Sequence, residues 1–249
     1  MKIVGIIPAR FASSRFPGKP LADIAGKSMI QRVYEQAMQC NGLTQVVVAT
    51  DDDRIYQHVE AFGGHVIMTS PDHQSGTDRS CEAYLSLGTP YEYIINIQGD
   101  EPFIDPLQID TLIDCLNGET QLATLVKRIE DPQHLSSPNT VKVVMNSNQE
   151  AMYFSRSPIP YLRGVPEEEW HAKGVYYKHI GIYAYKEDIL QKISRLPMSS
   201  LERLESLEQL RWLEQGYKIK TGITETDSAG IDTPEDLQEA LHVRNLQRQ

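Results

Sequence analysis

Short unbroken apolar runs alternate along this chain with stretches in which apolar residues return every three or four positions. The runs at 3–7, 45–49, 65–68 and 93–98 are short and rich in Ile and Val, which predicts buried strands. Between the first two, Ile30, Val33, Tyr34 and Ala37 share one face of a helix opened by Ser28, with Gln31 at the third position as in a capping box. Ile55, Val59 and Phe62 mark a second helix, ended by Gly63-Gly64. This β-α-β-α-β order predicts an α/β fold of the doubly wound type, whose ligands bind beyond the carboxyl ends of the strands.

Asp105-Pro106 pairs an N-cap with a first-turn proline and opens a further helix, and 121–128 reads as a strand. After residue 130 the texture changes. A loop is expected over 131–140, followed by a hairpin of 141–145 and 151–154 around the polar segment 146–150, and an irregular excursion over 157–175, rich in proline and charge. A strand returns at 178–185. Ser199 and Glu202 form another capping box, opening one helix with leucines at 201, 204, 207, 210 and 213. A late strand covers 217–223, and Thr233, Pro234 and Asp236 open a C-terminal helix as N-cap, N1 and N3. The domain expected is a single one over 1–249, with 131–175 as an inserted lobe.

At 249 residues, with 40% hydrophobic and 23% charged residues, the chain has the make-up of a soluble globular protein. A net charge of −10 argues against non-specific nucleic-acid binding. Cys40, Cys81 and Cys115 match no zinc spacing, and their odd number fits a reducing, cytoplasmic home. The N-terminal run is too short for a signal peptide, and nothing approaches a membrane span.

Charge is distributed unevenly. Residues 1–22 hold Lys2, Arg10, Arg15 and Lys19 and no acid, +4 in all, which leaves −14 for the remainder. A cationic loop following a strand in an acidic chain suits a polyphosphate, since Arg forks and a Lys point charge match phosphate oxygens. Gly26-Lys27-Ser28 is not a P-loop, because Leu21 stands where the pattern requires glycine, and no G-x-G-x-x-G follows the first strand. Asp51 to Asp53 form a D-x-D after the second strand. That pattern can hold a metal in nucleotide-sugar glycosyltransferases, but Asp52 and Asp53 are better explained as caps of the next helix. Asp100 follows the apolar strand at its tip, released by Gly99, and suits a hard cation shared with substrate phosphates.

Pro8-Ala9-Arg10, Ser13, Arg15 and Pro17-Gly18-Lys19-Pro20-Leu21 together resemble the signature of the 3-deoxy-manno-octulosonate (Kdo) cytidylyltransferases. His73-Gln74-Ser75-Gly76-Thr77-Asp78-Arg79, Gln98-Gly99-Asp100-Glu101-Pro102, His179-Ile180-Gly181-Ile182-Tyr183 and Leu207-Glu208-Gln209-Leu210-Arg211 resemble later segments of the same family. The resemblance implies a Rossmann-like nucleotide-diphospho-sugar transferase fold, with a mostly parallel central sheet, helices on both faces and a small β-containing lobe that makes a homodimer contact. It implies transfer of CMP from CTP to the anomeric hydroxyl of a 3-deoxy-octulosonate, with pyrophosphate leaving. The product is an activated sugar for lipopolysaccharide.

The same resemblance assigns residues. Ala9, Arg10, Lys19, Thr50, Asp51, Ser75, Gly76 and Arg79 would contact the nucleotide. Arg10, Arg15 and Lys19 would neutralise the triphosphate, and Asp100 and Asp232 would hold Mg²⁺. Gln98, Arg156, His179, Tyr183, Glu208 and Gln209 would meet the sugar acid. Without the resemblance, 69–79 is an ordinary loop with Thr77 or Asp78 capping the following helix, and a histidine in a strand is structural. Rival readings are a CMP-sialate synthetase, a glycosyltransferase using Asp51–Asp53, and a CTP-binding sensor that turns nothing over. The residues leave open whether Kdo or an 8-amino analogue is used.

Overall fold

The computed structural model describes residues 1–12, 15–227 and 230–246, with side chains described as far as residue 242. Ser13, which belongs to the N-terminal signature, lies outside the described residues. In chain order the elements are β1 (Ile3–Ala9), a 3-10 turn (Lys19–Leu21), β2 (Asp23–Ile24), β3 (Lys27–Ser28), α1 (Met29–Ala37), β4 (Gln45–Thr50), α2 (Asp53–Ala61) and β5 (Val66–Met68). Then come α3 (Gly76–Ser86), β6 (Tyr93–Asn96), α4 (Pro106–Ile113), β7 (Leu122–Arg128), α5 (Pro132–Ser136), β8 (Lys142–Met145) and β9 (Ala151–Ser155). The last are α6 (Trp170–Lys173), β10 (Tyr177–Lys186), α7 (Glu187–Ile193), α8 (Ser200–Glu205), α9 (Gln209–Glu214), β11 (Ile219–Ile223) and α10 (Pro234–Leu246). None of the described helices is long and apolar enough to cross a membrane. The chain gathers into two compact units, 1–110 with 228–249, and 111–227.

In the first unit β6, β1, β4 and β5 lie side by side, all parallel. Their runs are buried throughout, Ile3, Val4, Ile6 and Ile7 beside Val46 to Ala49 and Tyr93 to Ile95, as expected where both faces of a parallel sheet are covered. The first strand does not stop at residue 7. Pro8 and Ala9 continue it, paired with Ala49 and Thr50 of β4. The proline is tolerated because its nitrogen faces the β6 side, where the pairing has already ended at Ile6 and Asn96. Ser28 caps α1 by accepting the Gln31 amide, but Gln31 turns its side chain to Glu35 and leaves the reciprocal half of the box unmade. Asp52 caps α2. The cap of α3 is Ser75, which accepts the Asp78 amide at 3.1 Å, and not Thr77 or Asp78. Thr77 is buried inside the first turn, so the helix starts at Gly76, two or three residues earlier than a cap at Thr77 or Asp78 would give.

In the second unit β7 pairs parallel with β11 and antiparallel with β10, which also pairs with β8 of the β8–β9 hairpin. Asn146 Oδ1 closes the hairpin loop by accepting the amides of Asn148 and Glu150. Two expectations fail here. The segment 131–140 is not all loop, because Asp131 accepts the Gln133 amide, Pro132 takes the first helical position and Leu135 is buried, giving α5. The leucines at 201–213 do not lie on one helix. Ser206 adopts a left-handed conformation (φ 53°) and divides the stretch into α8 and α9, leaving Leu204 81% exposed while Leu207 and Leu210 are buried. The Ser199–Glu202 capping box is complete. Within 157–175 the chain is irregular except for a 3-10 turn at Glu167–Glu169 and α6, pinned by Trp170 over Tyr176 and by the bond from Trp170 Nε1 to the Val165 carbonyl.

Candidate active site

The loop that follows β1 folds back on itself. The Gly18 amide donates to the Phe11 carbonyl at 3.0 Å, and Gly18 takes a left-handed φ of 71° that glycine adopts without a Cβ clash. The Lys19–Leu21 turn then carries the Lys19 side chain inward. Phe16 and Ala22 pack on a small core of Ile24, Met29, Ile231 and Leu237. That core also carries the stretch before α10, so the cationic loop and Asp232 share one support.

Asp100 reaches the same place from the tip of β6. Gly99 is needed there, because a Cβ on it would lie 2.6 Å from the Pro8 carbonyl oxygen. Lys19 Nζ donates to Asp100 Oδ2 at 2.8 Å and to Asp232 Oδ1 at 3.1 Å, and Arg15 lies 3.0 Å from Asp232 Oδ2. Two carboxylates from distant parts of the chain thus close on one cation. Asp236 fixes their surroundings by accepting the Asp232 and Thr233 amides, bonds that hold its carboxyl below the usual range. Thr233 answers as the N-cap for the Asp236 amide.

This cluster lines a cleft of about 300 Å³ with Ala9, Arg10, Ser75, Gly76, Arg79 and Gln98. His73 and Gln74, which carried no assigned role in the sequence, line it as well. They sit in the strand-following loop already marked as a contact segment, and that position was the available signal. His73 is hydrogen-bonded to Glu82, which also accepts the Ser70 amide; these bonds outweigh burial and keep the Glu82 carboxyl low.

Thr50 and Asp51, expected at the nucleotide, are engaged with neighbouring residues of the chain. Thr50 is buried, its hydroxyl accepting the Asp52 amide and its carbonyl accepting Thr69. Asp51 is paired with Arg79 at 2.7 Å, and Arg79 also donates to the Thr69 hydroxyl at 2.6 Å. Asp52 is occupied by its cap and by Arg54, whose guanidinium stacks 3.3 Å above the Phe11 ring. Asp51 and Asp52 are thus each paired with an arginine, and Asp53 is an acid in the first turn of α2, where it complements the helix dipole. Among the described residues no group of three or more His, Cys, Asp or Glu side chains is gathered to hold a metal. The Asp100–Asp232 pair fits a divalent ion by its donor chemistry, with a cation already standing between the carboxylates, and substrate oxygens would complete the shell.

The second unit holds the other candidates. His179 and Tyr183 project from β10, with His179 edge-on to Phe154 and Tyr183 edge-on to Trp212. Thr124 Oγ1 lies 2.8 Å from the Ile182 carbonyl, 3.1 Å from that of Ile180 and 3.0 Å from His179 Nε2. Its single proton serves the carbonyls, so Nε2 carries the imidazole hydrogen and Nδ1 is an acceptor. Burial pushes the His179 imidazolium down to about 3, which rules it out as a charged group at neutral pH. Burial also lifts the Tyr183 phenol, with Glu208 adding to the effect. Gln209 is buried, and its amide nitrogen has no hydrogen-bond partner among the described residues.

Arg156 does not project freely. Its guanidinium donates to the carbonyls of Glu205, Pro138 and Ser206, which occupy most of its fork. Below it the fully buried Lys142 donates to the Ser137, Thr140 and Arg156 carbonyls, and burial lowers its pKa. A lysine flanked by valines gave no sequence signal of this role. A larger hollow of about 580 Å³ in this unit has its cations already matched, Lys218 with Glu150 and Lys220 with the Asn148 carbonyl.

A cytidylyltransferase family model matches residues 4–219. The chain is 60% identical over 246 residues to the 3-deoxy-manno-octulosonate cytidylyltransferase of Parabacteroides distasonis, covering 97% of both chains. It is 56% identical to that of Cytophaga hutchinsonii, again over 97% of each. A solved structure of CMP:2-keto-3-deoxy-manno-octonic acid synthetase complexed with CTP superposes with a TM-score of 0.92 at 47% identity, over 99% of this chain and 100% of that one.

Proposed function

The chain belongs to the cytidylyltransferase family, and we propose that it transfers CMP from CTP to the anomeric hydroxyl of a 3-deoxy-octulosonate, releasing pyrophosphate, to activate the sugar for lipopolysaccharide synthesis. The observation that carries this reading is the meeting of Asp100, Asp232, Lys19 and Arg15 at the strand ends, in a cleft that also holds Arg10. A tetra-anionic triphosphate needs cations to bind, and a displacement at its α-phosphorus needs charge neutralised on the departing pyrophosphate.

Arg10, Arg15 and Lys19 bind and neutralise the triphosphate. Ser75 and Gly76, at the opening of α3, approach the base, with Arg79 holding that loop against the end of β4. Asp100 and Asp232 are the groups that would hold Mg²⁺, which supplies charge neutralisation at the phosphate oxygens and the attacking hydroxyl. Gln98 in the first unit is assigned to the sugar acid. In the second unit His179, Tyr183, Glu208 and Gln209 are assigned to it, with Arg156 as its positive charge. His179 acts there as a neutral hydrogen-bonding group and not as a base, since it is uncharged at working pH and its Nε2 proton is held by Thr124. The enzyme is proposed to work in the cytoplasm as a homodimer through the 131–175 lobe.

The test is pyrophosphate release with CTP, Mg²⁺ and separate additions of Kdo, its 8-amino analogue and sialic acid. Release with one octulosonate only supports the reading and names the substrate. Release with sialic acid alone, or CTP binding with no release in any arm, overturns it. Asp100→Asn is expected to lower kcat by two or more orders of magnitude, about the loss of one main transition-state electrostatic contact.

A further inference from the structure

The same ammonium that is assigned to the triphosphate stands between the two carboxylates assigned to the metal. Lys19 Nζ is 2.8 Å from Asp100 and 3.1 Å from Asp232, and Arg15 adds a second cation on Asp232. With two positive and two negative groups the cluster is self-neutralised, and every charge in it is turned toward another. A divalent ion cannot take both carboxylates while the ammonium lies between them, and the ammonium cannot reach a phosphate while both carboxylates hold it.

We propose that Lys19 is a resident counter-ion of the metal site, and that its transfer from Asp100 and Asp232 to the triphosphate couples nucleotide binding to metal binding. The proposal rests on the metal assignment above. Lysine suits the exchange: its compact charge sits on a stem with four rotatable bonds, so it can turn without backbone movement. The backbone around it is fixed, since Gly18 is pinned to Phe11 and the Lys19–Leu21 turn packs with buried Pro20. Nucleotide that draws the ammonium away leaves two adjacent carboxylates unbalanced, which raises their affinity for a divalent ion. By linkage, a metal that displaces the ammonium raises affinity for the triphosphate by the same factor. The free protein is thereby kept from binding metal alone, and its carboxylates remain compensated until substrate arrives.

The experiment measures binding of Mn²⁺ alone, by the loss of its free electron-spin signal, to the full chain without nucleotide or sugar. Lys19→Met is expected to bind Mn²⁺ at least about fivefold more tightly than the unaltered protein, the lower end of typical coupling. It is also expected to bind CTP more weakly in the presence of a chelator. Arg15→Met, lacking only an exposed contact to one carboxylate, is expected to show a smaller gain. If Lys19 merely bolts the two loops together, its loss scatters the carboxylates and Mn²⁺ affinity falls or stays unchanged, which overturns the proposal. Lys19→Gln, with a neutral hydrogen-bonding end, repeats the measurement should the methionine variant fold poorly, and thermal melts verify both. Asp100→Asn/Asp232→Asn separates the two levels. Mn²⁺ binding that survives in it sinks the metal assignment itself, whereas binding lost there but not tightened by Lys19→Met sinks only the exchange.

Discussion

The backbone amide of Ile231 donates to the carbonyl of Asp100 at 2.9 Å. This one bond joins the tip of the central strand β6 to the segment that opens α10, and it brings Asp100 and Asp232 within reach of a single cation. Because backbone groups make the bond, side-chain changes nearby can remove a carboxylate without separating the loops.

The close approach beneath that junction makes Gly99 hard to replace. In Gly99→Ala the new methyl must push against the Pro8 carbonyl, a rigid backbone atom 2.6 Å away. Destabilisation of about 1–3 kcal/mol is expected, the usual range for overpacking. Thermal melts check the stability, and pyrophosphate assays should show a disproportionate loss of kcat as Asp100 shifts. Unchanged melting and turnover would mean that the loop moves freely.

Arg79 and Asp51 form an ion pair with side chains only 4% and 15% exposed. Arg79→Met strands a carboxylate there and should lower stability by about 3–5 kcal/mol. Asp51→Asn/Arg79→Met should cost less than the two single changes added together. Arg79→Lys should restore little, since an ammonium cannot span both Asp51 and Thr69 as the guanidinium does. Denaturant midpoints for these four variants and the unaltered protein decide the matter.

His179 should make the protein acid-sensitive. Its folded pKa, about 3, lies below that of the unfolded chain, so both states are neutral above the unfolded value near 6.5 and no cost appears there. As pH falls from about 6.5 toward 3 only the unfolded chain takes up the proton, and stability drops by up to about 1.4 kcal/mol per pH unit. His179→Gln should flatten that part of the stability–pH curve. A curve equally steep in the variant would assign the acid loss to other groups.

Burial, with the Asp110 carboxylate accepting from its thiol, lifts Cys40 to about 11. Burial raises Cys115 as well, and all three cysteines are free thiols. Iodoacetamide at pH 8 should modify Cys40 far more slowly in the folded protein than after denaturation. Equal rates would show that the thiol is reached in the native state.

Much of this architecture was legible in the residues. The apolar runs located the parallel strands because both faces of such a sheet are covered, so the sequence shows continuous hydrophobicity rather than alternation. Ser28, Asp52, Ser199 and Thr233 announced their helices because capping is a local bond between residues two or three apart. What failed depended on packing. The leucine stripe gave no sign of the break at Ser206, and Asp131 was not credited as a cap because only buried Leu135 gives α5 its reason to form.

For the site, the sequence by itself determined the pieces: a cationic, proline-bounded loop, an aspartate freed by glycine at a strand tip, and, through the family resemblance, a second aspartate just before α10. Those are properties of short segments. Only the tertiary structure decided which charges meet. It turned Lys19 and Arg15 onto the two carboxylates, assigned Asp51 to Arg79, and engaged most of Arg156 with carbonyls. The physical reason is that a charged side chain pairs with whatever the fold places within about 4 Å of it. Sequence separation sets no limit on that distance.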